Sequence, residues 1–239
     1  MKNLVYVFLT ILIASSCKQA PKSDEAKVTS SKEEASLSNG SVYTADLNAS
    51  KLEWIGTKVT GYHTGTVNIK SGELNIANGL VIGGKFTMDM TTIKAVGPEK
   101  VPPDASAKLT GHLQSQDFFN TQKFPEATFT ITGVRPHSGT VTEADDPRQE
   151  KLNEYKVPNP NFMVSGNLTV LGIEKNIEFP ALITVNGNTA EARAKFNLDR
   201  KKWNIEYKGK PDDLIGDEFH VGIYLKAEKQ EQPVASSEK

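Results

Sequence analysis

Residues 162–198 read F-M-V-S-G-N-L-T-V-L-G-I-E-K-N-I-E-F-P-A-L-I-T-V-N-G-N-T-A-E-A-R-A-K-F-N-L. Phe162, Val164, Gly166, Leu168 and Val170 recur at a period of two, as do Ile177, Phe179, Ala181, Ile183 and Val185 further on. A third row, Ala190, Ala192, Ala194, Phe196 and Leu198, alternates with Glu191, Arg193, Lys195 and Asn197. Successive side chains of a strand point to opposite faces, so each row is a strand with one buried side. A turn is expected near Gly172 to Asn176. Asn186-Gly187-Asn188 makes the next one, because an Asn-Gly pair tolerates the positive backbone angles of a tight hairpin.

The same alternation continues outward. Phe86, Met88 and Met90 alternate with Lys85, Thr87 and Asp89, and a late strand groups Phe219, Val221, Ile223 and Leu225. Shorter apolar runs occur at Leu52 to Val59, Val67 to Ile69, Leu74 to Ile76 and Thr128 to Val134. The total is about eight strands, the number at which a closed antiparallel barrel can hold one ligand. The fold class is therefore all-β, a single antiparallel barrel. Lys108 to Phe119 breaks the pattern, with helical spacing at Leu109, His112 and Leu113, and predicts a short helix capping a barrel end. Arg135 to Pro160 is polar and acidic, and reads as a peripheral hairpin loop.

The inward rows place Trp54, Phe86, Met88, Met90, Phe119 and Phe129 around the interior. Val164, Leu168 and Val170 join them from the Phe162 row, Ala192, Ala194 and Phe196 from the alanine row, and Val221 and Ile223 from the last strand. The small residues Gly166, Ala190, Ala192 and Ala194 leave volume, unless Phe86 and Trp54 fill it from the other side. Phe118-Phe119 with Phe124 is either a plug at one barrel end or a lip of an entrance. Arg200 and Trp203, at a strand end, are candidates for a polar mouth, with Arg200 meeting a ligand headgroup.

The termini differ from this core. Lys2 precedes the apolar run Leu4 to Ile13, which is too short to span a bilayer and has the form of a signal-peptide core. Ala14-Ser15-Ser16-Cys17 follows, and Cys17 is the one cysteine of the chain. Residues 17–40 and 229–239 are rich in Lys, Glu, Ser and Ala, and cannot bury enough apolar surface to offset their ordering entropy. The expected organisation is a signal peptide at 1–16, a disordered tether at 17–40, the barrel at 41–228 and a disordered tail at 229–239.

Twenty-eight basic against 29 acidic residues give a formal net charge of -1, so no global field attracts a nucleic-acid backbone. His63, His112, His137 and His220 show no paired ligand spacing, and strand alternation puts Glu218 and His220 on one face but leaves Asp217 to the preceding turn, so no metal is expected. Gly79-Leu80-Val81-Ile82-Gly83-Gly84-Lys85 nearly spells a phosphate loop. Phe86 stands where the hydroxyl belongs, however, and a strand follows where a helix should begin. No nucleophile has a placed base, which argues against an enzyme, and no cofactor is implied.

Two segments resemble known patterns. I-A-S-S-C, from Ile13 to Cys17, resembles the lipobox of bacterial lipoproteins, with Ala14 in place of the usual leucine. That resemblance implies that Cys17 carries the lipid and becomes the mature N-terminus, putting the chain in the cell envelope. Lys18 after the cysteine favours the outer membrane, facing the periplasm or the cell surface. H-L-Q-S-Q-D-F-F-N-T-Q-K-F-P-E-A-T-F, from His112 to Phe129, is similar to the H-L-x-S-x-D-F-F-D-x-x-x-Y-P-x-x-x-F pattern of the YceI-like family of bacterial periplasmic proteins. Val42-Tyr43 with Asp46, Gly65 after His63, G-N-L-T-V-L-G-I from Gly166 to Ile173, Phe196, Asp199-Arg200 and Ile215-Gly216-Asp217 extend the resemblance over Ser41 to Ala227. Asn120 replaces the usual aspartate and Phe124 the usual tyrosine, and the insertion near Asp145 is long. The resemblance implies a lipocalin-like barrel enclosing a long apolar lipid, a polyisoprenoid or an isoprenoid quinone, in a binding or transport protein. The alternatives are a structural or adhesive lipoprotein with a filled barrel, and a lipid-modifying enzyme.

Overall fold

The computed structural model describes residues 20–34, 40–96, 103–138 and 154–230. The signal segment, Cys17 and the tail beyond Gln230 lie outside the described residues. The elements are β1 (Asp24–Glu25), β2 (Lys27–Ser30), β3 (Ser41–Ala45), β4 (Lys51–Lys58), β5 (Gly61–Ala77), β6 (Leu80–Val96), α1 (Pro103–Gln114) and β7 (Glu126–Pro136). They continue as β8 (Phe162–Val170), β9 (Ile173–Asn186), β10 (Thr189–Asp199), a 3-10 turn at Arg200–Trp203, β11 (Gly209–Lys210) and β12 (Asp213–Lys229).

β3 and β4 share one place in the wall, both pairing with β5 on one side and β12 on the other. With β5 to β10 and β12 they close an antiparallel, lipocalin-like barrel of eight strand positions. The two runs expected at Val67 to Ile69 and Leu74 to Ile76 are parts of the single long strand β5, which register shifts at Thr66/Asn68, Ile69/Ser71 and Asn75/Ile76 bend against β6. Such bulges let long strands curl without losing their neighbours. The turn expected over Gly172 to Asn176 is tighter than read. Val170 already pairs with Ile173, leaving Leu171 and Gly172, both at positive φ, as the two-residue link. At the next hairpin Asn186 is still a strand residue opposite Thr189, and Gly187 carries the positive φ.

The helix lies earlier than Lys108 to Phe119. α1 opens at Pro103 with Asp104 in its first turn, a proline position where the missing N–H costs nothing and the carboxylate meets the helix dipole. It ends at Gln114, after which Ser115 N donates to His112 O and Phe119 N to Leu113 O in a compact turn. α1 packs on β6, where Ala95 N donates to Thr110 Oγ1 at 3.0 Å.

The termini of the barrel also differ from expectation. Residues assigned to a disordered tether form β1 and β2. β1 runs parallel to β10, and β2 runs antiparallel to β9. The composition of this segment offers no apolar stripe, but the bare edges of β9 and β10 supply main-chain partners that do not depend on side-chain polarity. Likewise β12 reaches Lys229, and Gln230 N donates to Val42 O. The Arg135 to Pro160 stretch begins as strand up to Pro136. Its far part returns to the wall, where Val157 is buried and the Tyr155 ring meets His220 edge-on at 5.6 Å.

Candidate ligand-binding site

The two ends of the barrel are built differently. At the end away from α1, Tyr43, Ala45, Ile76, Ala190 and Ala227 are buried, and Tyr43 Oη donates to Gly187 O at 2.7 Å, so side chains close it. From the middle of the barrel to the α1 end there is instead a cavity of about 290 Å³. Its walls are apolar side chains from β4 to β10 and β12, with Leu109, Leu113, Phe118 and Phe119 from α1 and the turn after it. Trp54, Phe86, Met88, Met90, Phe119, Phe129, Val164, Leu168, Val170, Ala192, Ala194, Phe196, Val221 and Ile223 all lie in this lining, as does Arg200.

The small inward residues have separate fates. Ala192 and Ala194 line the cavity, whereas Ala190 is packed into the closed end. Gly166 opens no space, since a Cβ there would lie 2.3 Å from Cζ of Phe129, whose ring occupies the gap. Phe118 and Phe119 sit at the cavity, with Phe118 edge-on to His112 at 4.9 Å. Phe124 packs instead against Gly172 on the β8–β9 turn. His112 itself bonds Asp117 at 3.0 Å.

Polar groups gather at the α1 end. Lys58, His63, Arg200 and Glu218 join Thr57 and Gly216 in the lining there. Lys58 Nζ donates to Asp213 Oδ2 at 2.5 Å, and that bond, aided by Thr60, pulls the Asp213 carboxyl down to about 2. Arg200 is buried, and its Nε donates to Gly216 O at 2.9 Å while its terminal nitrogens reach Ile205 O and Asp217 Oδ1. Burial lowers its pKa, with Asp217 acting in the opposite sense. Burial also lowers the His63 pKa and raises that of Glu218. Trp203 does not reach the mouth. It is buried in the core, and its Nε1 donates to Leu168 O at 3.3 Å. His220, expected on the same face as Glu218, is instead buried on the outer side of the wall and bonds Asn197 Oδ1 at 3.0 Å, while Glu218 lines the cavity.

Thr57 and Glu218 were not legible as lining residues, because strict alternation from Trp54 and Phe219 turns both outward. The register shift in β12 between Ile215 and Phe219, opposite the end of β4, breaks that alternation. Among the described residues, Trp54 Nε1 and Thr57 Oγ1 are the buried polar side-chain atoms without a hydrogen-bond partner, and both residues line the cavity.

The barrel fold has counterparts among known proteins. Residues 43–227 match the model of the YceI-like domain. The chain belongs to the YceI-like family. Proteins with similar sequences include the UPF0312 protein YE1254 of Yersinia enterocolitica, 30% identical over 105 residues that make up 41% of this chain and 44% of that one. The UPF0312 protein plu2095 of Photorhabdus laumondii is 32% identical over 71 residues, 30% of this chain and 26% of that one. These matches thus span less than half the length of either relative. Among solved structures, Burkholderia cenocepacia BcnA superposes with a TM-score of 0.53 at 18% identity, over 76% of this chain and 98% of that one. A polyisoprenoid binding domain from Saccharophagus degradans, implicated in plant cell wall breakdown, gives a TM-score of 0.54 at 14% identity, over 79% and 98%. The likeness to these two structures is one of fold.

Proposed function

We propose that this chain is a lipid-binding protein that holds a single long apolar lipid of the isoprenoid type in its barrel, without catalysis, as an envelope carrier. The observation that carries this reading is the unfilled apolar cavity bounded by Ala192, Ala194, Phe196 and Met88. A filled, structural barrel would need large side chains where Ala192 and Ala194 stand. The fold shared with a polyisoprenoid binding domain supports the same ligand class.

Burying about twenty carbons of an isoprenoid chain at ~0.8 kcal/mol each gives roughly 16 kcal/mol before association and ordering costs, and a surplus of about 8 kcal/mol after them corresponds to micromolar binding without polar contacts. The head of the lipid sits at the α1 end. Trp54 Nε1 and Thr57 Oγ1 are left unpartnered there, and a buried polar atom without a partner costs ~1–3 kcal/mol unless a ligand oxygen meets it. Arg200 is placed to approach such a head, although its contacts with Gly216 O and Asp217 Oδ1 already tie the 3-10 turn to β12 and a third reaches Ile205 O.

Cys17, as the lipid-carrying N-terminus, would hold the barrel at a membrane, in our reading the outer one. The run from Cys17 to Asp24 spans at most about 25 Å at ~3.5 Å per residue, so the barrel stays close to the bilayer rather than on a long tether.

Native mass spectrometry of the full chain purified from a bacterial host, with organic extraction of what is retained, tests the proposal. A near-stoichiometric isoprenoid is the expected result. An empty chain that also refuses added geranylgeraniol would overturn the carrier reading in favour of a structural barrel.

A further inference from the structure

The barrel wall has one seam that the family-matched region does not close. β9 and β10 pair directly only between Ala181–Asn186 and Thr189–Ala194. Beyond that point, toward the α1 end, the wall between them is β1 and β2, bonded to β10 and β9 and joined through Ala26, whose N–H donates to Asn197 O at 3.0 Å. This strap lies before Tyr43, where the family match begins, so it falls outside the matched region.

The ligand space lies directly behind it. Ile177 and Phe179 on β9, with Phe196 and Leu198 on β10, flank the seam and line the cavity. The strap brings only Ala26 and Val28 to the core; apart from Pro21 its other residues are polar or charged. Few buried apolar contacts and short edge pairings are the marks of a segment that opens far more easily than the barrel. Its closed position is nevertheless specified. Asn167 Oδ1 accepts from Lys32 N at 3.0 Å and Asn167 Nδ2 donates to Lys32 O at 2.7 Å, as a neighbouring strand would. Asn176 Nδ2 braces Asn167 from behind at 3.0 Å, and Asn197 Nδ2 holds Pro21 O at 2.9 Å. Between these ends the strap is held by main-chain pairing, by Lys156 Nζ on Asp24 Oδ1 at 3.1 Å and by Ser23 Oγ donating to Tyr155 O; these are polar bonds that water can replace as the strap lifts, which describes a latch.

We infer that the β9–β10 seam is a lateral port for the lipid and that residues 21–32 are its gate. This rests on the lipid-binding reading. The seam runs along the strands, and behind the strap it is closed by the stacked rings of Phe179 and Phe196, 4.2 Å apart; when the strap lifts and these rings part, a flexible apolar chain can leave sideways over its length. Leaving end-on, it must thread past Phe118 and Phe119 and meet water one methylene at a time.

A reversible lock tests this. Lys27 and Glu178 are cross-strand partners in an antiparallel pair, where Cα separations suit a disulfide. The full chain with Lys27→Cys and Glu178→Cys, its pairing checked by mass, is loaded with dansyl-labelled geranylgeraniol and mixed with phosphatidylcholine vesicles. The oxidised form is expected to release and take up the probe at least tenfold more slowly than its reduced form, with the same equilibrium partition. Ala26→Pro, which removes the strap's donor to Asn197, is expected to speed exchange several-fold. Equal rates in oxidised and reduced protein overturn the port, and so does a wild-type rate in Ala26→Pro if the double variant does not fold. Failure of every form, wild type included, to take up the probe is a different result: it overturns the lipid-binding reading itself, and the port with it.

Discussion

Gly166 is a residue whose role reverses between the sequence and the fold. In the alternating row it reads as spare volume, but Phe129 fills that place from the neighbouring strand. A methyl group there would also press on Thr130 O at 2.8 Å, which is main chain and cannot swing away. Gly166→Ala is therefore expected to destabilise the barrel by roughly 1–3 kcal/mol, seen as a lower urea midpoint at unchanged slope. Thr57 supplies a test with two signs. Thr57→Val keeps the shape and deletes an unpartnered buried hydroxyl, so the ligand-free protein should gain up to ~1 kcal/mol while affinity for geranylgeraniol falls several-fold. Loss of stability in the empty variant would show that the hydroxyl serves the fold instead. His220 sets an acid limit. Burial, with Lys195 adding to it, lowers its pKa to about 4, below the ordinary 6.5 of an unfolded chain, so protonation opposes folding. The stability contributed by the neutral ring is complete above pH ~6.5 and declines as pH falls toward about 4, by roughly 2–3 kcal/mol in all. Unfolding free energies of wild type and His220→Asn, compared from neutral pH down to 4, should converge by about that amount.

Among the elements, the β8–β9 link joins two strands that pair to their last residues with only Leu171 and Gly172 between them. Both have positive φ, 53° and 72°, and a leucine in the left-handed region costs ~1–2 kcal/mol that asparagine largely avoids. Leu171→Asn is expected to raise stability by roughly 0.5–1 kcal/mol, checked by thermal unfolding. An unchanged or lower Tm would mean that the half-buried leucine side chain packs well enough to offset its backbone strain. α1 is the contrasting case. Leu109 and His112 carried its periodicity, but its start at Pro103 came from a proline-acid pair that apolar spacing does not register.

For the whole molecule, the cavity ties ligand to stability. A lipid that binds the closed barrel and not the unfolded chain should raise Tm with concentration, by free-energy increments of about 2.7 kcal/mol at a hundredfold excess over Kd. Because the lining is apolar and the chain nearly neutral, that shift should persist from low to roughly molar salt, and its collapse with salt would point to a charged ligand. The all-β class, the inward rows and the residues surrounding the void were legible in the sequence because alternation is local: each strand declares its buried face within a few residues. The His112 to Phe129 motif added the family for the same reason. What only the tertiary structure decided depends on which distant residues meet. Strap residues pair with strands about 150 positions later, Thr57 turns inward because β12 bulges beside it, and Gly166 is filled by a ring from β7. Main-chain pairing of a polar segment to a bare strand edge leaves no mark in composition or period, since its hydrogen bonds come from groups that every residue carries.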